Sequence, residues 1–232
     1  MTRHLVDIAS LSVAELRHIL DLSVAAVMLE SIQGEGGVIP ADPAYLQAVQ
    51  QLCKERGLLL IIDEVQTGFC RTGKWFGFEH AGISPDAVTM AKGMGNGMPV
   101  GALWARRDIA AVLQPGDHGS TYSGTALATA AVSAVISEMK RLHADELAVR
   151  QGARLTKGLL AIPKVESVRG AGLLLGAQLV DGIVAGDVYK ALLEKGLIVN
   201  AVNASTLRLA PPLTVTDAEI DEAVALIAEV LS

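Results

Sequence analysis

Two hydrophobic rhythms alternate along this chain. Short apolar runs at "VAAVML" (24–29), "LLLII" (58–62), "AVTM" (87–90) and "VGALWA" (100–105) have the length of strands. Stretches with helical spacing lie near 43–56, 107–113 and 125–142. This alternation predicts an α/β architecture with a largely parallel sheet. Ahead of it, "SLSVAELRHILDL" carries Ser12 and Glu15 at capping-box spacing, with Leu11 and Leu16 placed as a hydrophobic staple, so a short helix is expected from near Val13. Beyond residue 143 the pattern changes. A helix (143–160) leads to two strands split by Gly170 and Gly172, then a helix (185–195), strands at "LIVN" and "TLRLA", and a last helix from about 216. We read three parts: an N-terminal helical segment (1–23), a larger unit (24–142) and a smaller α+β unit (143–232), with a soft boundary near 140.

Composition narrows the classes. The 232 residues are 51% hydrophobic, enough for a sizeable core in one or two domains. With 25 acidic against 19 basic residues the net charge is −6, and the basic residues are scattered, so nucleic acid is not expected as a partner. Cys53 and Cys70 are the only cysteines, and neither belongs to a C-x-x-C. The first twenty residues lack a signal-peptide pattern, so a reducing, cytoplasmic setting is expected. No apolar run approaches the roughly 20 residues of a membrane span, and no membrane or metal is expected.

Lys92 directly follows the strand-like "AVTM", with glycines at 93, 95, 97 and 101. It reads equally well as a solvated strand-end lysine or as a Schiff-base amine beside backbone that a bulky cofactor can approach. Asp63, which ends "LLLIID", shifts the balance. If its strand runs parallel to the one before Lys92, both residues reach the carboxyl-end edge of the sheet, where α/β folds place ligands. Pyridoxal phosphate calls for that pair: a lysine amine, and a carboxylate facing the pyridine nitrogen.

At this point longer motifs matter: "LESIQGEGGVIP", "LLLIIDEVQTGFCRTG", "PDAVTMAKGMGNGMPVGA", "GDHGSTYSG", "VRGAGLLLGAQL" and "LRLAPPL". From about Val24 onward these resemble the class III aminotransferases, and within them those acting on acetylornithine. The resemblance implies a pyridoxal-phosphate transferase of fold type I, with a partial large domain and a small C-terminal α+β domain. It implies that Lys92 links to the cofactor, Asp63 faces its ring nitrogen, Gln66 bonds its phenolic oxygen and Val65 lies against a ring face. Glu64 reads as a carboxylate beside the cofactor or as a strand-end charge. Thr121 would bind the cofactor phosphate of a neighbouring subunit and Ser120 would lie beside the substrate, so a homodimer with a shared active site is implied. Arg208 resembles the arginine that holds the substrate α-carboxylate, and Glu35 the glutamate that pairs with it; an ordinary structural ion pair is the plainer reading. We expect Arg71 to form a salt bridge in the loop after the strand, His118 to shape its loop, and Met90, Met94 and Met98 to pack.

The implied reaction is transamination of N-acetylornithine with 2-oxoglutarate, in arginine biosynthesis. Ornithine, succinylornithine and 4-aminobutyrate are the alternative donors. The chain also departs from the pattern. Ser31 stands where the family has proline, and "SGTA" (123–126) replaces its "GGNP". The family carries a long section ahead of "VAAVML", with a phosphate-cradling turn, a ring-stacking aromatic and an arginine for the distal carboxylate, which 23 residues cannot hold. The first 22 residues instead resemble the start of ornithine carbamoyltransferases, although the "STRT" motif of that family is absent. A shortened chain should leave apolar surface and unpaired strand edges. The competing reading is therefore a non-catalytic, truncated paralogue that serves as a subunit partner.

Overall fold

A computed structural model describes residues 11–20 and 24–232. Most of the segment resembling a carbamoyltransferase, residues 1–10 and 21–22, lies outside them. The chain runs α1 (Val13–Ile19), β1 (Ala26–Glu30), β2 (Ile32–Gln33), β3 (Ile39–Pro40), α2 (Pro43–Arg56), β4 (Leu59–Asp63), β5 (Ala87–Met90), β6 (Ala102–Ala105) and α3 (Arg107–Ala110). It continues α4 (Ala126–Leu142), α5 (Ala144–Leu160), β7 (Val165–Ala171), β8 (Leu174–Leu179), α6 (Ala185–Glu194), β9 (Asn200–Ala201), β10 (Thr206–Leu209) and α7 (Asp217–Val230).

Local chemistry sets these boundaries. In α1 the Ser12 hydroxyl accepts from Glu15 N, and the Glu15 carboxylate accepts from Ser12 N at 2.7 Å, which completes the expected capping box. Leu16 is fully buried, and Leu11 packs against the same cluster. Asp42 caps α2, Pro43 takes the first helical position, and Gly57 ends the helix with a φ of 67°.

Two four-stranded sheets organise the rest. The first has the order β1-β4-β5-β6, and β1, β4 and β5 are parallel. β6 pairs antiparallel with β5 at one edge, so the sheet is largely parallel, as expected. The segment between them holds only a short 3₁₀ turn at Lys92–Met94 and no crossover helix, so the chain turns back on itself. The second sheet, β7-β8-β10-β9, is antiparallel throughout. β9 keeps only the end of "LIVN": Ile198 is 80% exposed and outside any ladder. The expected helix at 107–113 shortens to Arg107–Ala110, with turn bonds from Val112 and Leu113.

Each sheet has its own apolar core. Leu46, Val49 and Leu52 of α2 pack with Leu60 and Ile62 of β4. Leu155 and Leu159 of α5, Leu192 of α6 and Ile220 and Ile227 of α7 pack with Leu175, Leu179 and Leu207 of the second sheet. Among the described residues, no helix is long and apolar enough to cross a membrane.

Candidate active site

The carboxyl-end edge of the first sheet gathers the polar residues expected there. In-register pairing aligns Glu30 of β1, Asp63 of β4 and Thr89 of β5 in one row, and residues in such a row share a face. Lys92 follows three residues after Thr89 with φ 42°, a left-handed conformation that side chains rarely adopt. Strain of this kind costs about 1–3 kcal/mol and is found preferentially at functional positions. Lys92 also lines a cavity of about 510 Å³ with Val65, Gln66, Phe69, Met139 and Leu142.

Several groups along this edge have unused bonding capacity. Asp63 Oδ1 accepts from Val65 N at 2.9 Å, and Oδ2 has no donor among the described residues. Thr89 Oγ1 is buried without a partner. Burial pushes the Glu30 carboxyl above its ordinary value, against the pull of its bond from Gly34 N at 3.0 Å. An amine, a carboxylate oxygen free to face a ring nitrogen, an orphaned hydroxyl and the apolar wall of Val65 are a donor set that fits pyridoxal phosphate.

Above this edge the second sheet contributes Arg208. Its NH1 donates to Glu35 Oε1 at 2.7 Å and to Gln66 Oε1 at 3.2 Å, while Gln66 Nε2 donates to the same Glu35 oxygen at 3.2 Å. The bond from Arg208 holds the Glu35 carboxyl below the usual carboxylate range. Arg208 is 17% exposed at its side chain and Glu35 72%, so the arginine is held by the fold and the carboxylate lies in solvent. Such a half-exposed pair is weak enough to open. Gly34 permits the arrangement, since a Cβ there would stand 2.4 Å from the Gln66 side chain.

Other expected site residues lie elsewhere. Glu64 is fully buried. Its carboxylate accepts from Thr67 Oγ1 at 2.6 Å, Gly77 N at 2.8 Å and Phe78 N at 2.8 Å, and none of these three partners lines the cavity beside Lys92. Alternation along the strand explains this: if Asp63 faces the site, its neighbour faces the opposite side. Ser120, Thr121 and His118 are exposed in the segment between α3 and α4, outside the cavity beside Lys92.

Arg71 forms no salt bridge among the described residues. It is largely buried and donates to Leu173 O at 3.1 Å and Pro211 O at 2.5 Å, tying the loop after β4 to the second sheet. No pattern of residue types signals this, because carbonyl acceptors have no side-chain signature. Met94 is buried as expected of a packing residue. Ser31 keeps a buried, unpartnered hydroxyl where the family has proline. Burial pushes the Cys53 thiol up to about 11 and the Cys70 thiol up to about 12, so neither supplies a thiolate.

Comparison with known proteins identifies the family. The class-III aminotransferase family profile matches residues 4–231. The acetylornithine aminotransferase of Caldanaerobacter subterraneus subsp. tengcongensis is 47% identical over 217 residues, which is 92% of this chain and 55% of that protein. The N-acetylornithine aminotransferase structure from Stenotrophomonas maltophilia superposes with a TM-score of 0.85 at 32% identity, over 94% of this chain and 59% of that one. An ornithine aminotransferase structure from Toxoplasma gondii, with partial occupancy of PLP at its active site, gives 0.83 at 35% identity, over 89% of this chain and 50% of that one. The chain thus spans about half the length of the relatives it matches. Profile and relatives agree, and the chain belongs to the class-III aminotransferases.

Proposed function

We propose that this chain carries the lysine-bearing part of a pyridoxal-phosphate aminotransferase that moves an amino group from N-acetylornithine to 2-oxoglutarate. The observation that carries this reading is the convergence of two elements on one edge: the Asp63 and Lys92 strand ends from the first sheet, and Arg208, held by Glu35, from the second. When bound, the cofactor supplies an electron sink for the bond-breaking step. Lys92 supplies the amine that holds it and, once displaced, the base that moves a proton at the substrate α-carbon. Asp63 keeps the ring nitrogen protonated through its free oxygen. Val65 covers a ring face. Arg208 binds the α-carboxylate once Glu35 lets go, as a guanidinium fork suits a carboxylate.

In this reading, residues 24–142 form the partial cofactor-binding domain and 143–232 the small domain. Thr121 and Ser120, exposed here, serve the site of a neighbouring subunit in a homodimer. The names of the relatives support the acetylornithine donor, and ornithine is the alternative from the Toxoplasma relative. The chain's share of its relatives' length keeps a second reading open, in which it is a non-catalytic subunit partner.

The test is absorbance of the purified chain with added pyridoxal phosphate, then borohydride reduction and mass mapping. The expected result is a new visible-edge band and label on Lys92, both lost in Lys92→Ala. Label spread over surface lysines with no band would leave the subunit-partner reading standing.

A further inference from the structure

The cross-strand register of the second sheet places Arg169 of β7, Gly176 of β8 and Arg208 of β10 in a single row. Opposed residues in antiparallel strands share a face, so two guanidinium groups rise from one side with a bare glycine between them. The turn at 34–38 lies in that gap. A Cβ on Gly176 would stand 3.0 Å from Gly37 O and 3.0 Å from Val38 Cβ. On one flank Arg208 holds Glu35. On the other, Arg169 Nε donates to Gly37 O at 2.9 Å.

Arg169 is itself locked in place. Its NH1 donates to Gln178 Oε1 at 3.1 Å and its NH2 to Thr206 Oγ1 at 2.9 Å, and Thr206 is fully buried. All three acceptors are neutral, and no carboxylate competes for this arginine among the described residues. A rigid planar fork can meet three acceptors at fixed angles, which a lysine ammonium on a flexible stem cannot do.

We propose that Arg169 is a positioning residue whose grip on the Gly37 carbonyl sets the 34–38 turn so that Glu35 reaches Arg208, and so governs how readily Arg208 is released to a substrate carboxylate. The last clause rests on the reading of Arg208 as the carboxylate-binding arginine. The first stands on the turn alone. Val38, fully buried against Ile32 and Leu174, anchors the turn independently, so loss of the Arg169 grip loosens Glu35 without freeing the whole segment.

The test follows the Glu35 side-chain carboxyl by carbon-13 NMR through an acid titration of the full chain. Glu35 titrates below the ordinary carboxylate range in the parent chain, and in Arg169→Lys its midpoint moves up toward that range. The lysine keeps the positive charge, so a change in charge alone is not the cause. Gly176→Ala, which crowds Gly37 O without touching an arginine, moves Glu35 in the same direction and serves if Arg169→Lys fails to fold. An unmoved Glu35 midpoint in a folded variant overturns the proposal.

Calorimetry with glutarate as the probe separates the two claims. Arg169→Lys binds it about two- to fivefold tighter, the range set by the strength of a half-exposed ion pair. The same change adds nothing in a Glu35→Gln background, as expected of residues that act through one another. If Glu35 moves but Glu35→Gln binds glutarate no tighter than the parent, the positioning role stands and the assignment of Arg208 to a substrate carboxylate fails.

Discussion

Helices α4 and α5 are each 17 residues long and follow one another with only His143 between them, yet their surroundings differ sharply. α5 buries Ala144, Ala148, Gln151, Gly152, Leu155 and Leu159, and the two leucines join the core of the second sheet with α7. α4, written "ALATAAVSAVISEMKRL", buries Ala128 alone. An apolar helix without a buried face is not stabilised by its own propensity alone, since most helical stability in proteins comes from packing. The contrast extends to the sheets. The second is covered by α5, α6 and α7, whereas on the first Leu103 is 63% and Trp104 49% exposed. One half of the molecule is closed, and the other presents apolar surface together with its site residues.

The largest test of that contrast is Leu207→Ala. Leu207 is fully buried on β10 within the closed core, one residue before Arg208. Truncation there removes transfer energy and leaves a cavity, for a loss of about 2–5 kcal/mol. Urea unfolding followed by circular dichroism should show the whole loss in the midpoint. A loss below about 1 kcal/mol would mean that this core relaxes freely, and the two halves would then differ less than their burial suggests.

Glu64→Gln comes next, in the open half. An ionised Glu64 meets three donors with two acceptor oxygens, and a glutamine turns an N–H₂ toward at least one of them. The expected loss is about 1–3 kcal/mol. Its pH dependence has a definite sign. Burial, the largest influence, raises the Glu64 carboxyl above its ordinary value, so the folded chain holds that proton more tightly than the unfolded one. The resulting stabilisation is full below the ordinary carboxylate value and is lost as pH rises through the raised value. The deficit of Glu64→Gln relative to the parent should therefore narrow with rising pH, and a widening deficit would contradict the burial argument.

How legible each half was in the sequence follows the same division. The α2 boundaries, the α1 capping box and the strand at Ala87–Met90 emerged because periodicity and caps are local signals. The pairing of Glu35 with Arg208, 173 residues apart, came only through resemblance of motifs, because no local pattern links such distant positions. The sequence leaves Glu64 with two readings because adjacent carboxylates at a strand end look equivalent until alternation assigns them to opposite sides. Arg71 and Arg169 were missed or misread because their partners are backbone carbonyls and neutral side chains. The antiparallel turn of β6 depends on the absence of a helix between 91 and 101, where a glycine-rich stretch had been read for its chemistry alone.

The smallest expected effect is the most informative about the open half. Leu103 on β6 is directly opposite Thr89 and more than half exposed. Replacing it with threonine puts a β-branched residue on the strand and removes apolar area that water already reaches, so the stability change should stay within about 0.5 kcal/mol. The comparison with Leu207→Ala then becomes a measure of what covers this face in solution. If Leu103→Thr costs several kcal/mol, and the cost grows with protein concentration, the face is buried against a second copy, because stability that depends on association follows mass action. A small, concentration-independent cost would mean that the face meets water. In that case the contrast between the halves is a property of the single chain.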